Sequence, residues 1–331
     1  MKNRNKSLEV QQKMFDEIKN TISGSSLISN EVSEILKISQ GSAYKRIRGD
    51  QPLTFDEFCV LCEHYHLSID RLLRGENVRQ FDCAYKPVDS PDEYRNYMLF
   101  LLKNFERQSA SDHLSILMSA TDIPIFHLVP HKELRFFKLY TWAQSVYSYT
   151  DSLEEFFKMM ETPEVLKTHD AIARNYELIP STEIWTESTI EPTLRLIEYY
   201  IDINMFTSKD LPLVLCKQLM SILDKLQQWV ENGYKGDHTA LFQLFLSEID
   251  LENTYYLMKR SENSNCIVKL FTINCFDVFD AEFCKEAESW LTKLAQRSAP
   301  LCGGSEKERV KFFTSQREKV RFLEKKIQSL L

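Results

Sequence analysis

Apolar positions recur at helical spacing from the start of the chain. Leu8, Val10, Met14, Phe15, Ile18 and Ile22 form one stripe, closed by the turn signal Ser23-Gly24-Ser25-Ser26. Ser29 can cap a second helix through Val32, Ile35 and Leu36, and Ser39 a third through Ala43 and Ile47 to Gly49. Thr54 with Glu57 forms a capping box for a fourth helix carrying Phe55, Phe58, Cys59, Cys62 and Tyr65. Ser68 opens a short fifth, Ile69 to Arg74, closed by Gly75. Periodicity then lapses across 76–90, which reads as a linker, until Ser90-Pro91-Asp92-Glu93 starts a new helix and a new domain.

Beyond that point the pattern mixes periods. Leu114 to Met118 and Ile123 to Val129 are predicted strands, and Leu134 to Tyr147 an aromatic helix. Helices are predicted from Thr162-Pro163-Glu164, over Glu191 to Met205 and over Ser208 to Asn232. Leu241 to Ile249, Thr254 to Met258 and Cys266 to Phe276 are rich in β-branched and aromatic residues and predict an antiparallel sheet. Two helices close the chain, Asp280 to Arg297 and one capped by Ser305 with Glu308. The fold class is mainly α with an α+β C-terminal part. Its domains are five helices over 1–75, the linker 76–90, and an α+β region over 91–331 with a possible division near 235.

Composition narrows the function classes. Eight of the 331 residues are Gly, about a third of the usual ~7%, and no phosphate-cradling Gly-rich loop is present. The longest apolar run, Tyr97 to Leu102, is far short of the ~20 residues needed to cross a bilayer. The polar, basic N-terminus carries no apolar signal segment, and the eight scattered cysteines read as reduced thiols. A cytoplasmic protein without membrane contact is expected. The net charge of −7 conceals a split: residues 1–80 carry 12 Lys+Arg against 11 Asp+Glu, and the remainder 29 against 37. Ile35 to Gly49 holds Lys37, Lys45, Arg46 and Arg48 with no acid, so a phosphate-facing surface belongs there.

Helices two and three form a helix-turn-helix. Val32, Leu36, Ile38, Ala43 and Ile47 face inward, which leaves Gln40, Gly41, Ser42, Tyr44, Lys45 and Arg48 outward, a donor-rich set suited to a major groove. Residues 28–75, most clearly Leu67-Ser68-Ile69-Asp70-Arg71-Leu72-Leu73-Arg74-Gly75, resemble the five-helix repressor-type (XRE-like or BetR-like) DNA-binding domain. The whole chain is similar to a group of bacterial regulators of this length. The resemblance implies a transcriptional regulator that places helix three in the major groove of double-stranded DNA. Gln40, Gly41 and Lys45 would meet bases, and Ser39 with the following amides a phosphate. Ser42, Tyr44, Arg46 and Arg48 complete the candidate DNA-binding set. Two departures stand out: Lys37 occupies the turn position where the family has Gly, and Gly41 lacks a side chain at a reading position. The alternative is a protein-interaction module that docks a partner through the same helices.

Other motifs admit two readings. Cys59, Cys62, His64 and His66 have metal-ligand spacing, but the cysteines fall on an apolar stripe and no second ligand pair follows. His127, His131, His169 and His238 are too dispersed to define a catalytic centre, and with no nucleophile or carboxylate-pair signature the chain reads as no enzyme, with no metal or cofactor. Asp122 to His127 reads as a packed strand and turn or as a ligand contact, and Phe136, Phe137, Tyr140, Trp142 and Tyr147 as core or as the wall of an effector pocket. In the last helix Phe313, Val320 and Ile327 recur every seven residues, with Gln316, Leu323 and Leu330 at the complementary position. That pattern fits a terminal helix packed on its own domain or a seam in which Phe313, Val320, Leu323, Ile327 and Leu330 join a homodimer. A regulator of this kind is expected to pair, because two modules double the DNA contacts.

Overall fold

The computed structural model describes residues 2–21, 28–65, 67–73, 81, 83–106, 113–208, 210–236, 240–261, 264–271 and 273–330. The chain divides into two units, Met1–Asp82 and Cys83–Leu331. Of the stretch expected as a linker, 83–90 belongs to the second unit and includes a strand. Within 76–82 only Phe81 is described.

The first unit holds α1 (Lys2–Thr21), α2 (Ile28–Leu36), α3 (Gln40–Ile47), α4 (Phe55–His64) and α5 (Ile69–Leu73). Met14, Phe15, Ile18, Val32, Ala43, Ile47, Leu61 and Leu72 make its core, drawn from all five helices. Ser29 lies within α2 and is not its cap. The turn at Ser23 to Ser26, His66 and Arg74-Gly75 fall outside the described residues. α2 ends in a Schellman turn: Ile38 N–H donates to the Ser33 carbonyl at 3.0 Å and Lys37 N–H to that of Glu34 at 3.3 Å. This turn needs a left-handed residue, and Lys37 supplies it at φ +54°. Glycine occupies such a position without the steric penalty a Cβ incurs.

Gln11 of α1 ties the far end of α3 to the loop beyond it. Its amide donates to the carbonyls of Arg46 (2.6 Å) and Gln51 (3.0 Å), and its carbonyl accepts from Leu53 N–H at 2.8 Å. α4 opens with the Thr54–Glu57 capping box.

The second unit is built on a mixed sheet. Its described strands are β1 (Cys83–Tyr85), β2 (Ser115–Ser119), β3 (Ser181–Thr186), β4 (Tyr234–Lys235), β5 (Ala240–Ser247), β6 (Tyr255–Lys259), β7 (Asn265–Phe271), β8 (Asn274–Val278) and β9 (Ala299–Pro300). The order is β1-β8-β7-β6-β2-β3-β5-β4, with β9 also on β5. β3 lies parallel to both β2 and β5, while the other pairings are antiparallel. Of the late segments expected as an antiparallel sheet, Thr254 to Met258 and Cys266 to Phe276 do pair antiparallel, whereas Leu241 to Ile249 lies parallel to β3. β3 is the reason: its sequence Ser-Thr-Glu-Ile-Trp-Thr hides a central strand, and parallel neighbours demand long crossovers.

Those crossovers are helical. α7 (Ile125–Leu128), α8 (Lys132–Tyr147), α9 (Leu153–Met160) and α10 (Pro163–Leu178) link β2 to β3, and α11 (Glu191–Asp202) and α12 (Leu211–Asn232) lead on to β4 and β5. With α6 (Pro91–Glu106) and α14 (Glu306–Leu330) they share one core with Ile116, Met118, Trp185, Phe242, Leu244 and Met258 of the strands. The alternate strand residues Leu117, Ile184, Leu257, Cys266 and Val268 pack on the opposite face against α13 (Ala281–Gln296). Ile123 to Val129, expected as a strand, is the short helix α7 preceded by Pro124. A short run buried on every side gives no period by which to tell the two apart.

Where the helical layer meets β3, a carboxylate is fully buried. Glu183 accepts from His127 Nε2 (2.9 and 3.0 Å), from Trp185 Nε1 (2.8 Å) and from the Tyr176 hydroxyl. Burial alone pushes its pKa up, yet the charge and hydrogen bond of His127, the Tyr176 bond and the charge of Lys235 together hold it below the ordinary carboxylate value. Lys235 is equally buried and donates to the Tyr176 carbonyl (2.7 Å) and Ser181 Oγ (3.0 Å), with its Nζ 3.5 Å from the centre of the Tyr176 ring. Burial drives its pKa down to about 7 despite the opposing charges of Glu183 and Glu177.

Replacing Lys37 by Gly relieves the left-handed strain and is expected to stabilise the first unit by about 0.5–1 kcal/mol, read as slower exchange of α2 and α3 amides in the intact chain. For Lys235, the ordinary pKa of 10.5 in the unfolded chain lies above the folded value of about 7. Between them the unfolded chain binds the proton and the folded chain does not, so this lysine's penalty is full below about pH 7 and lifts as pH rises. All four tryptophans lie in the second unit, so tryptophan fluorescence in urea isolates its unfolding. Relative to Lys235→Met, the wild type is expected to gain about 2 kcal/mol between about pH 7 and about pH 9. A pH-independent difference would show that the lysine keeps its proton in the fold.

Candidate functional site

Three residues, Lys37 to Ser39, join α2 to α3. Ser39 caps α3: its Oγ accepts from Ser42 N–H at 3.3 Å and donates to Ser42 Oγ at 3.0 Å. Val32, Ala43 and Ile47 are buried, and Leu36 and Ile38 pack against them, so α3 is held by its inner face.

The outer face of α3 carries no acid. Gln40, Gly41, Tyr44, Lys45 and Arg48 are exposed, and Ser42 is half-buried. Gln40 donates from its amide to Asn30 Oδ1 at 2.7 Å, so a base would have to compete with Asn30 for that donor. Arg48 lies 3.4 Å from Asp50 and 5.7 Å from the Tyr44 ring centre, an exposed pairing that holds the side chain weakly. Gly41 has no packing reason to be glycine, since a Cβ there would meet nothing within 4 Å.

Arg46 is the correction within this set. It stands among the basic residues expected to reach DNA, yet it is buried, and its guanidinium grips Glu57 with two bonds, Nε to Oε2 at 3.0 Å and Nη2 to Oε1 at 2.8 Å. A further bond from Nη1 reaches the Ser42 carbonyl at 3.3 Å. Glu57 thus both caps α4 and anchors α3. Despite partial burial, its bonds with Arg46 and Thr54 keep it below the ordinary carboxylate pKa. The sequence held the signal: position 46 follows Ala43 by three and precedes Ile47, on the flank of the buried stripe.

The cysteines of α4 sit in or beside the core. Cys62 is buried, and burial pushes its thiol pKa up, while Cys59 is half-buried. Among the described residues no group of three or more His, Cys, Asp or Glu is placed to hold a metal.

The second unit contains a cavity of about 410 Å³. Asp122, Ile123 and Ile125, which follow the carboxyl end of β2, form one wall; Arg135, Lys138 and Trp142 of α8 form another. Tyr94 and Tyr97 of α6 and Tyr256, Lys269 and Cys275 of the antiparallel strands close it. Of the aromatic cluster on α8, Trp142 reaches the cavity, whereas Phe136, Phe137 and Tyr140 belong to the core and the Tyr147 side chain lies outside the described residues.

Two of the dispersed histidines, His127 and His169, have separate partners. His127 serves Glu183. His169 Nε2 shares a 2.7 Å hydrogen bond with the Tyr94 hydroxyl, and burial pushes its pKa down to about 3. His131, at the N-terminus of α8, is pushed by burial down to about 4. His238 lies outside the described residues.

The heptad stripe of α14 is occupied within the chain. Phe313, Val320, Leu323 and Ile327 are buried in the core of the second unit, against α12 and α11, so of the two readings of the stripe the terminal helix packs on its own domain. Gln316 donates to Glu187 at 2.8 Å, and the pairs Arg317–Asp224 (2.8 Å), Lys319–Glu191 (3.1 Å) and Lys326–Glu198 (2.6 Å) flank the stripe. Leu330 alone of the five is exposed. No described helix is long and apolar enough to cross a membrane. Set against family models, curated proteins and solved structures, the chain matches none of them.

Proposed function

We propose that the chain is a sequence-specific DNA-binding transcriptional regulator of the repressor type, with α3 entering the major groove. The observation that carries this reading is the division of α3 into a buried face and an acid-free, donor-bearing outer face at the end of a three-residue turn. Lys45 and Arg48 supply the charge for phosphates and base edges, Ser39 and the first amides of α3 face a phosphate, and Gln40 exchanges Asn30 for a base. Gly41 fits the same picture. It serves no packing in the first turn of α3, and a missing side chain there lets a backbone approach closely.

Binding by two copies on a two-fold site is part of the proposal, because one such module covers a short sequence. The pairing surface is not the α14 stripe, which the core has taken.

A second reading rests on two exposed rings, Tyr44 at 54% and Phe55 at 76% of full exposure. Aromatic groups presented in this way suit a protein partner. Salt separates the two readings, since phosphate contacts release counterions and protein contacts of this kind do not.

Selection of bound fragments from genomic DNA, at two salt concentrations, tests the proposal. The wild type is expected to enrich a two-fold symmetric site and to bind it more weakly at the higher salt. Lys45→Ala with Arg48→Ala is expected to lose the enrichment, each base contact being worth about 1–3 kcal/mol, while leaving the fold intact. No enrichment at low salt overturns the DNA reading.

Arg46→Ala is expected to act differently from its neighbours. It strands a partly buried Glu57 carboxylate and should destabilise the first unit by about 2–4 kcal/mol, seen as faster amide exchange in α3 and α4. Loss of DNA binding without that destabilisation would return Arg46 to the contact set.

A further inference from the structure

The cavity of the second unit is lined by more positive than negative charge. Its wall is largely apolar and aromatic, yet three cationic side chains line it, Arg135, Lys138 and Lys269, against the single carboxylate of Asp122. Asp122 is already engaged: Lys138 Nζ lies at 2.6 Å from one oxygen, and Thr193 Oγ1 donates to the other at 2.9 Å. Two positive charges are left over.

Arg135 is the more telling of the two. It is 5% exposed, makes no ion pair among the described residues, and leaves its Nε without a hydrogen-bond partner. Among the described residues its guanidinium is in direct contact with the Val129 carbonyl and the face of the Phe136 ring, 4.9 Å away, while the carboxylates of Asp170, Glu133 and Glu161 act on it from beyond ion-pair distance. Lys269, half-buried on β7, likewise has no ion pair among the described residues. Its pKa is pulled down by burial, with Asp122 opposing and Lys138 reinforcing the shift.

A buried guanidinium without a direct ion-pair partner is costly, and proteins retain such a group where something supplies the missing partner. The volume of about 410 Å³ falls in the range of small-molecule sites. The position also fits, because the wall at Asp122 to Ile125 follows the carboxyl end of β2, the strand where the parallel and antiparallel parts of the sheet meet. Open α/β sheets bind ligands outside the carboxyl ends of their strands.

We propose that this cavity binds a small organic anion, a carboxylate or phosphate ester carried on an apolar body, with the charge met by Arg135 and Lys269 and the body against Trp142, Tyr97 and Tyr256. The inference stands apart from the DNA-binding reading. It is tested without DNA, so failure of one leaves the other as it was.

The probe is anilinonaphthalene sulfonate, an anion on an aromatic body, compared with its uncharged analogue phenylnaphthylamine on the full chain by fluorescence. The sulfonate is expected to bind at one saturable site at least about tenfold more tightly than the uncharged dye, since a charge-assisted hydrogen bond is worth that factor or more. Decanoate or decyl phosphate should displace it where decanol does not, and whichever anion competes at the lower concentration identifies the headgroup. Arg135→Gln and Lys269→Gln should each weaken the sulfonate about tenfold and leave the uncharged dye within about twofold. Lys269 lies nearer the surface, so its variant reports on the site even where Arg135→Gln fails to fold. Equal affinity for the two dyes, no binding of either, or sulfonate binding indifferent to Lys269→Gln overturns the proposal.

Discussion

The Glu183 carboxylate is the constraint around which the second unit is arranged. An ionised group with no solvent exposure survives only where donors converge on it, and four elements send them: His127 from α7, Tyr176 from α10, Trp185 from β3 itself and, through Tyr176 and Ser181, Lys235 from β4. Each of these elements is thereby fixed to the central parallel strand. The short helix α7 is the clearest case, because one turn of helix has almost no stability of its own, and its placement comes from Phe126 stacked on Tyr176 and His127 on Glu183. From α7 backward to β2 and forward to α8, that fixed point sets the wall of the cavity.

The first unit uses the same device on a smaller scale. Gln11 closes three backbone groups around the end of α3, and Arg46 binds Glu57 across to α4. These bonds are what separate the basic residues of α3 into two kinds. Arg46 orients the helix; Lys45 and Arg48, one and two positions away, are free to face outward because Arg46 does not. A count of positive charge along the segment cannot make that distinction, whereas the phase of each residue relative to Ala43 and Ile47 can.

Much of the fold was legible in the sequence where one local signal decided the outcome. Ser39, Thr54 with Glu57, Thr162-Pro163 and Asp280 each begin a helix where side-chain oxygens precede an apolar stripe. The legible part ended where the deciding contacts were distant in sequence. β3 was hidden because its inward positions are Ser181, Glu183 and Trp185, and a buried glutamate makes sense only once His127, Tyr176 and Lys235 surround it. The heptads of α14 were visible, but whether they met another chain or α12 depended on residues roughly a hundred positions away. The cavity could not be read at all from single motifs, for its walls come from segments scattered between Tyr94 and Cys275.

The two charged places of the second unit sit on the same face of the same sheet and obey opposite rules. Around Glu183 no buried side-chain polar atom is left without a partner among the described residues, and the cluster lines no part of the cavity. Around Arg135 one carbonyl and one ring make direct contact, the carboxylates of Asp170, Glu133 and Glu161 act on it only from beyond ion-pair distance, and an open volume lies beside it. A guanidinium without a direct ion pair beside a cavity, at the carboxyl end of β2, differs physically from a carboxylate whose donors all come from the fold, and that difference is what the anion-binding proposal rests on.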